Sequence, residues 1–337
     1  MEKTLLLAGD IGGTKTVLAL FEESGAGLPI KPIVEKTYPS SQFSALEQII
    51  EDFMQGFDVD ITAASFGVAG PVVNGRSQIT NLPWIIDVQN LKQQLGIETV
   101  TLLNDLESIA NGVPYLQPDD VVNLKEGQKA ENGAIGIVAP GTGLGEAFLV
   151  WTGTRYESYP SEGGHASFGP VSSLQVDLLN FLATKYNHVS YERVCSGSGL
   201  PNLYQFFKET NRFEEPAWLA KELESTPDKT PIIVQHAVQK SANICIATLN
   251  LFFEILAGEA SNMALKLLAT GGIYLGGGIP PRLIPQLQAS NFTDIFQSKG
   301  RFTNLLEQVP VYIICNPKIA LYGAAYQGLN VAKMSGS

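Results

Sequence analysis

Apolar residues recur along the chain with two kinds of spacing, and together these spacings predict an α/β protein. Residues 3–10 and 16–21 are apolar runs rich in Leu and Val, and the tetrapeptide Gly12-Gly13-Thr14-Lys15 separates them. Such runs around a glycine turn predict two strands joined by a tight connection. In residues 42–56 the apolar positions recur at steps of three and four, which predicts an amphipathic helix.

The same two spacings predict the remaining elements. Further strands are expected at 30–38, 61–68, 98–103, 134–139, 144–151 and 310–315. Helices are expected at 87–95, 173–186, 200–210 and 318–333, with a long helical region at 231–269 in two pieces. Residues 271–288 are predicted to form a strand, a Gly-rich turn and a helix.

A less regular stretch with Gly, Pro and an Asp-Asp pair covers residues 112–132 and indicates a domain boundary. We therefore predict a small α/β domain at 1–115 plus 318–337 and a large α/β domain at 116–317. A strand followed by a Gly-rich turn occurs three times, as GDIGGTK, APGTGLG and YLGGGIP. This recurrence indicates two related halves that face each other across a cleft.

Composition narrows the class of partner. The chain has 337 residues, a formal net charge of −11 and a pI near 4.8, which argues against nucleic acid and anionic membranes as partners. Three cysteines stand far apart and form no Cys-x-x-Cys pair, as expected of a reducing compartment. The chain shows neither a signal-peptide core nor an apolar run approaching ~20 residues, so we expect a soluble cytoplasmic protein.

The first glycine turn carries candidate phosphate-binding groups. Gly12 and Gly13 let backbone amides approach a phosphate, while Thr14 and Lys15 add a hydroxyl and a cation. Asp10, at the end of a buried strand, could hold Mg²⁺ through water. The alternative is a tight hairpin with a solvated Lys. The spacing fits neither a Walker loop nor a dinucleotide fingerprint.

Two later turns could bind other parts of a nucleotide. Thr142 and Gly143 lie in a Gly-rich turn that could clamp the same phosphates, although a simple glycine hairpin would look the same. Gly277 and Gly278 precede two prolines at a helix start and leave room for a flat ring such as adenine. Here the alternative is an ordinary strand-to-helix loop.

Polar residues at the remaining loops could bind a polyhydroxyl ligand. Asp105 could take a proton from a sugar hydroxyl as a general base, or it could simply cap a helix. Asn104 would orient the sugar. Candidate donors and acceptors for the other hydroxyls are Asn81, Glu162, His165 and Glu192. His165 could equally pack within a loop, and a metal site built from Glu162 and His165 is disfavoured.

Taken in order, these segments resemble the bacterial glucokinase family, within the sugar kinase–actin–Hsp70 fold group. The matching segments are GDIGGTK at 9–15, GVAGPV at 67–72, TNLPW at 80–84, LLNDLESIANGV at 102–113, APGTGLG at 139–145, SEGGHASFGP at 161–170, YERVCSGSGLPNLY at 191–204 and GGIYLGGGIPPRL at 271–283. They cover nearly the whole chain. The resemblance is to the variant that lacks a zinc-binding Cys cluster. Lys15 and Ser167 depart from residues found in some relatives.

The resemblance implies a two-domain actin-like ATPase fold of the ribonuclease H-like type, with glucose and MgATP bound in a cleft between the lobes. It implies phosphorylation of the glucose 6-hydroxyl, with Asp105 as the catalytic base and Asp10 on the Mg²⁺ side. It assigns the sugar to Asn104, Glu162, His165 and Glu192. It assigns the nucleotide to Gly12, Gly13, Thr14, Thr142, Gly143, Gly277 and Gly278.

Other interpretations remain open at this level. The chain could phosphorylate another hexose, such as mannose or an N-acetylhexosamine. It could be a non-catalytic sugar-sensing regulator, although the first strand begins near residue 3 and leaves no room for a DNA-binding helix-turn-helix. A nucleotide-dependent chaperone or filament protein shares the fold group. We also expect a homodimer, and we expect the lobes to rotate together when sugar binds.

Overall fold

The computed structural model describes residues 5–22, 31–57, 59–79 and 82–335. The backbone divides into two compact units. The first unit comprises Met1–Pro118, Thr154–Pro160 and Asn316–Ser337, and the second comprises Asp119–Gly153 and Ser161–Cys315. The domain boundaries expected from the sequence remain predictions, and the structure differs from them in grouping residues 154–160 with the first unit.

Thirteen strands are present in the described residues. They are β1 (Leu5–Ile11), β2 (Lys15–Glu22), β3 (Pro32–Pro39), β4 (Ala63–Val68), β5 (Arg76–Gln78), β6 (Ile85–Asp87), β7 (Val100–Asn104), β8 (Val121–Lys125), β9 (Ile135–Pro140), β10 (Leu144–Trp151), β11 (Tyr156–Ser161), β12 (Gly272–Leu275) and β13 (Val311–Ile314).

The same described ranges contain twelve α-helices. They are α1 (Leu46–Met54), α2 (Val88–Leu95), α3 (Asp105–Gly112), α4 (Ser173–Ala183), α5 (Leu200–Glu209), α6 (Ala217–Glu224), α7 (Thr230–Val238), α8 (Asn243–Leu267), α9 (Ile284–Gln288), α10 (Phe292–Gln297), α11 (Thr303–Gln308) and α12 (Ile319–Ser335).

In the first unit, five strands form one sheet in the order β3-β2-β1-β4-β7. β1 and β2 form an antiparallel hairpin, while β1, β4 and β7 run parallel. β4 is buried at every position, as expected for the centre of a sheet that is covered on both faces. On one face lies α12, whose Leu321 and Ala325 pack with Leu6 and Ala8 of β1.

In the second unit, five strands lie side by side in the order β10-β9-β12-β13-β8. β9 and β10 form an antiparallel hairpin, and β9, β12 and β13 run parallel. The hairpin and the two parallel neighbours thus repeat the arrangement of β2, β1, β4 and β7. This repeat explains why a strand followed by a Gly-rich turn recurs in the sequence.

The 25-residue helix α8 is the core of the second unit. In the described part of the chain it is the one helix that is long and apolar enough to cross a membrane by length and composition, and 78% of its most apolar window is buried inside the protein. Its apolar residues pack against α5, α7 and α10. Burial among these helices accounts for its high hydropathy.

Several short elements differ from the sequence-based expectation. The stretch 112–132, expected to be irregular, contains β8, which pairs with β13 at the edge of the second sheet. α6 and the small β5–β6 hairpin were not predicted. The helical region expected at 231–269 is divided into α7 and α8, as predicted. The missed elements are short, so their apolar pattern is too brief to define a period.

Candidate active site

The carboxyl ends of three parallel strands meet at one edge of the first sheet. The register pairs Ile11 of β1 with Val68 of β4, and Val68 with Asn104 of β7. Asp10, the first glycine turn and the start of α3 therefore lie along the same edge. In open α/β sheets this edge is where ligands bind.

Asn104, and not Asp105, caps helix α3. The Asn104 Oδ1 atom accepts a hydrogen bond of 2.5 Å from the backbone N–H of Glu107, which is the N-cap geometry. The capping alternative for Asp105 is therefore wrong. The Asp105 carboxylate is exposed and accepts a hydrogen bond of 2.9 Å from the backbone N–H of Leu106.

Capping also restricts what Asn104 can offer a ligand. Its Oδ1 atom is engaged by the helix, whereas its Nδ2 atom bonds to no group in the described ranges. Asn104 can thus donate to a hydroxyl oxygen while keeping its cap.

Asp10 is a partly buried carboxylate without a hydrogen-bond or ion-pair partner in the part of the chain that the structure describes. Burial raises its pKa above the ordinary value, the nearby Lys15 ammonium lowers the pKa, and the Asp105 carboxylate raises it. These influences place Asp10, Lys15 and Asp105 in one electrostatic neighbourhood. An unpartnered carboxylate beside a second one fits a divalent cation, since hard cations prefer oxygen ligands.

The first glycine turn presents two backbone amides. Gly12 donates its N–H to the carbonyl oxygen of Lys15 at 3.0 Å, which closes the turn. Among the described residues, the amides of Gly13 and Thr14 have no acceptor. Two successive unsatisfied amides form an anion-binding concavity. The exposed Lys15 side chain adds a positive charge at the same turn.

Ser40, which was not predicted from the sequence, holds this turn in place. Its hydroxyl donates to the carbonyl oxygen of Gly12 at 2.7 Å and lies 3.0 Å from the hydroxyl of Thr16. Its backbone N–H donates to the Thr14 carbonyl at 3.1 Å. Ser40 is 24 residues or more from its partners, so no local sequence signal could have found it.

The second unit carries two similar turns at the carboxyl edge of its sheet. Gly141 donates its N–H to the Gly143 carbonyl at 2.8 Å, and the amides of Thr142 and Gly143 have no acceptor within the described ranges. After β12, the amides of Gly277 and Gly278 are likewise unsatisfied there.

Only glycine can occupy position 277 without backbone strain. Its φ is +78°, and a Cβ atom would lie 2.5 Å from the carbonyl oxygen of Pro140. This close approach packs the turn after β12 against the end of β9. At the next residue, Gly278, no described residue other than its two chain neighbours has an atom within 4 Å of the position that a Cβ atom would take, so this part of the turn faces open space.

Glu192 connects two of the predicted segments in the second unit. Its Oε2 atom accepts a hydrogen bond of 2.9 Å from the Leu144 N–H, at the end of the 141–143 turn. Its own N–H donates to the Gly164 carbonyl at 2.8 Å. The candidate sugar-binding glutamate thus ties the candidate phosphate turn to the segment that carries Glu162 and His165.

Glu162 and His165 project from a short helical turn formed by residues Gly163–His165. Their side chains are 83% and 61% exposed, and the Glu162 Oε2 and His165 Nε2 atoms lie 3.9 Å apart. Their exposure leaves both groups available to a ligand. His188, which lies far from this segment in sequence and was not predicted, places its Nε2 atom 3.0 Å from the His165 carbonyl oxygen.

Each unit therefore assembles its own share of the predicted residues. The first unit contains Asp10, Gly12, Gly13, Thr14, Lys15, Asn104 and Asp105, and the second contains Thr142, Gly143, Glu162, His165, Glu192, Gly277 and Gly278. Asn81, predicted to contact the sugar, lies outside the described residues. Glu146, a single acid within the apolar strand LGEAFLVW, was not predicted from the sequence and lies buried beneath the Gly163–His165 turn.

Comparison with known proteins gives consistent results along the whole chain. The glucokinase family profile matches residues 7–330. A protein named glucokinase from Trichormus variabilis is 40% identical over 336 residues, which cover 96% of this chain and 98% of that protein. The crystal structure of a glucokinase from an Antarctic psychrotroph is 33% identical, with a TM-score of 0.87 over 97% of this chain and 99% of that one.

A more distant structure shares the fold. It is a ROK family glucokinase from Streptomyces griseus in complex with glucose and AMPPNP, 16% identical, with a TM-score of 0.58 over 97% of this chain and 99% of that one.

Proposed function

This chain belongs to the glucokinase family, and from this membership we propose that it transfers a phosphoryl group from ATP to the 6-hydroxyl of glucose. The main support for the proposal comes from two neighbouring residues at the start of α3. Asn104 caps the helix, so the adjacent Asp105 carboxylate is not needed as the cap and stands exposed at the edge where the parallel strands end.

Asp105 acts in this proposal as the general base. Phosphoryl transfer passes through a loose transition state, so the protein mainly positions the reactants and neutralises charge. A carboxylate within reach of the sugar hydroxyl accepts its proton as the bond to phosphorus forms. Asn104 donates from Nδ2 to the same sugar and orients it.

In this proposal the sugar is held by groups with complementary chemistry, of which Glu162 and His165 are exposed and Glu192 is half-buried. Glu162 and Glu192 accept hydrogen bonds from hydroxyl groups, and the His165 ring can donate or accept. Glu192 keeps one oxygen on the Leu144 amide, so its Oε1 atom is the one that faces a ligand. Asn81 remains a proposed sugar contact.

In this proposal ATP is assigned to the three glycine turns, namely 12–15, 141–143 and 276–278. The amide pairs at Gly13–Thr14 and Thr142–Gly143, which have no acceptor in the described part of the chain, suit phosphate oxygens, and Lys15 adds a positive charge. Gly277 and Gly278 suit the adenosine end, where open space adjoins Gly278. The S. griseus protein binds AMPPNP, which stands in for ATP. Mg²⁺ would be held through water by Asp10 and would neutralise phosphate charge.

The test is an ADP-release assay with purified protein, MgATP and a panel of glucose, mannose, fructose and N-acetylhexosamines. We expect glucose to give the highest kcat/KM. If another hexose gives the highest rate of ADP release, that hexose is the substrate in place of glucose. ADP release that does not depend on any hexose would contradict the proposal.

Two variants test whether Asp105 acts as the catalytic base or only stabilises its helix. Asp105→Ala should lower kcat by about 10²–10⁴-fold while glucose binding measured by calorimetry persists. The matched control is Asp87→Ala, because Asp87 caps α2 by accepting from the Gln89 N–H at 2.7 Å. This control should lose about 1 kcal/mol of stability but keep kcat within about twofold. Equal turnover in the wild type and Asp105→Ala would reject the assignment.

A homodimer also remains a proposal. Sedimentation velocity at micromolar concentration tests it, and a single species of monomer mass would contradict it.

A further inference from the structure

Glu146 is an ionisable side chain whose buried surroundings do not stabilise its charged form. It lies in β10 with 3% of its surface exposed, flanked in the strand by Gly145 and the buried Ala147. Its Oε1 atom is buried and has no hydrogen-bond partner among the described residues. In the part of the chain that the structure describes, no donor bonds to either carboxyl oxygen. A buried, unbonded carboxylate is costly, so its presence calls for a compensating role.

The carboxyl group fills the space under the turn that carries the candidate sugar ligands. A Cβ atom added at Gly163 would overlap with the Glu146 Oε2 atom. One residue later, a Cβ atom at Gly164 would overlap with the Leu144 carbonyl oxygen. The backbone of the Gly163–His165 turn therefore rests directly on β10, with the Glu146 side chain as part of its floor.

The groups facing Glu146 from neighbouring elements favour its neutral form. Glu259 of α8 is fully buried, accepts a hydrogen bond of 2.9 Å from Asn262 and pairs with Lys266 at 3.3 Å. Burial raises the pKa of Tyr191 and of the Cys195 thiol, and the Glu259 carboxylate adds to both increases. Lys299 is engaged by Asn262 at 2.7 Å. Within the described ranges, the nearby donors and cations thus serve Glu259, and none bonds to Glu146.

We propose that Glu146 is a positioning residue for sugar binding, in which the neutral carboxyl group supports the Gly163–His165 turn and so sets the placement of Glu162 and His165. This inference rests on the proposed function, because it assigns those two side chains to the sugar.

The charge state of the group follows from its surroundings. Burial raises the pKa of Glu146 to about 8, the Glu259 carboxylate acts in the same direction, and Lys266 opposes both. At pH 7 the carboxyl group is therefore mostly protonated and packs as a neutral group. Above pH 8 it becomes a carboxylate beside Glu259, and water must enter or the turn must move to solvate it.

The first experiment compares the pH dependence of the wild type with Glu146→Gln, which keeps the shape and cannot ionise. In the wild type, KM for glucose should rise by about tenfold between pH 7 and pH ~9.5, with a smaller change in kcat. In Glu146→Gln, KM should match the wild type at pH 7 within about twofold and stay level as the pH rises. An equal alkaline rise in both proteins would overturn the inference.

The second experiment is a double-mutant cycle between Glu146→Ala and Gly163→Ala. Gly163→Ala alone should raise KM for glucose by on the order of a hundredfold, because its Cβ meets the carboxyl group. In the Glu146→Ala background, where the space is open, the same change should cost less than about tenfold. Equal costs in both backgrounds would show that the two residues act independently and would overturn the proposal.

Folding is followed by circular dichroism in every variant. If Gly163→Ala does not fold alone, recovery of folding in the Glu146→Ala background supports the contact, and failure in both backgrounds contradicts it. Absence of hexose phosphorylation in the wild type would overturn both the proposed function and this inference. An active wild type with identical pH profiles in the two proteins overturns only the role of Glu146.

Discussion

The β1–β2 turn of the first unit and the β9–β10 turn of the second unit are built on the same plan but supported differently. Each closes with a hydrogen bond from a glycine N–H to a carbonyl within the turn, and each leaves two amides without acceptors in the described residues. The first turn is supported by the Ser40 hydroxyl, which donates to the Gly12 carbonyl oxygen. The second turn is supported by the Glu192 carboxylate, which accepts from the Leu144 N–H.

The acids near the two turns also differ in their surroundings. In the first unit, Asp10 and Asp105 lie at the strand ends, where at least part of each side chain reaches solvent. In the second unit, Glu146 and Glu259 are buried. The same strand arrangement thus has acids that reach solvent in one unit and buried acids in the other. Topology positions a turn, whereas side chains from distant segments decide what the turn can do.

Among changes to the glycine turns and their supports, the largest effect is expected from replacing Gly277 in the second unit. Gly277→Ala should lower kcat/KM for ATP by about 10²-fold and reduce the melting temperature, because a Cβ there is strained by φ and by the Pro140 carbonyl. Gly278→Ala is the matched control, since no described residue other than its two chain neighbours lies within 4 Å of its Cβ position. The control should keep the wild-type melting temperature. Identical melting curves for the two variants would show that the turn tolerates the distortion.

A smaller effect is expected at the support of the second turn. Glu192→Ala should raise KM for both ATP and glucose, each by about tenfold, because its carboxylate accepts from the Leu144 N–H beside the 141–143 turn and is also a proposed acceptor for a sugar hydroxyl. Glu162→Ala serves as the comparison and should affect glucose alone, since no bond joins Glu162 to the 141–143 turn in the described ranges. Initial-rate kinetics with each substrate varied measures both constants. An effect of Glu192→Ala on glucose only would remove the proposed connection.

The support of the first turn should matter less. Ser40→Ala removes the hydroxyl that bonds to the Gly12 carbonyl, and we expect KM for ATP to rise by about fivefold and stability to fall by about 1 kcal/mol. Ser44→Ala, on the exposed surface nearby, is the control and should leave both quantities unchanged. Urea denaturation and ATP titration provide the measurements. If both serines behave alike, the first turn does not depend on a side chain.

The smallest effect on turnover at pH 7 is expected from Glu146→Gln, which should instead alter stability. The pKa of Glu146 is raised from 4.5 to about 8 in the folded protein, so the folded state binds its proton more tightly than the unfolded state. The contribution to stability is complete below pH 4.5 and is lost as the pH rises to about 8. Urea denaturation from pH ~5 to pH ~9 should show a steeper decline for the wild type than for Glu146→Gln. Parallel declines would mean that Glu146 titrates normally.

Much of the framework was predictable because it depends on local patterns. Apolar runs predicted β1, β2, β4 and β9, and periodic spacing predicted α1 and α8. The glycine turns were recognised because few other residues allow a backbone to approach a ligand so closely. Ser40, His188 and Glu146 were missed, since their partners lie many residues away in sequence.

The sequence by itself is enough to establish the α/β class, the positions of the glycine turns and the membership of the glucokinase family. All three can be recognised from patterns within short segments of the chain. Three other facts emerged only from the folded chain: Asn104 rather than Asp105 caps α3, Ser40 holds the first turn, and Glu146 lies under Gly163. The cap is a choice between two adjacent residues that the pattern leaves open, and the other two facts depend on packing between segments that are distant in sequence. Such contacts depend on the free energy of the whole fold, so the local spacing of residues does not predict them.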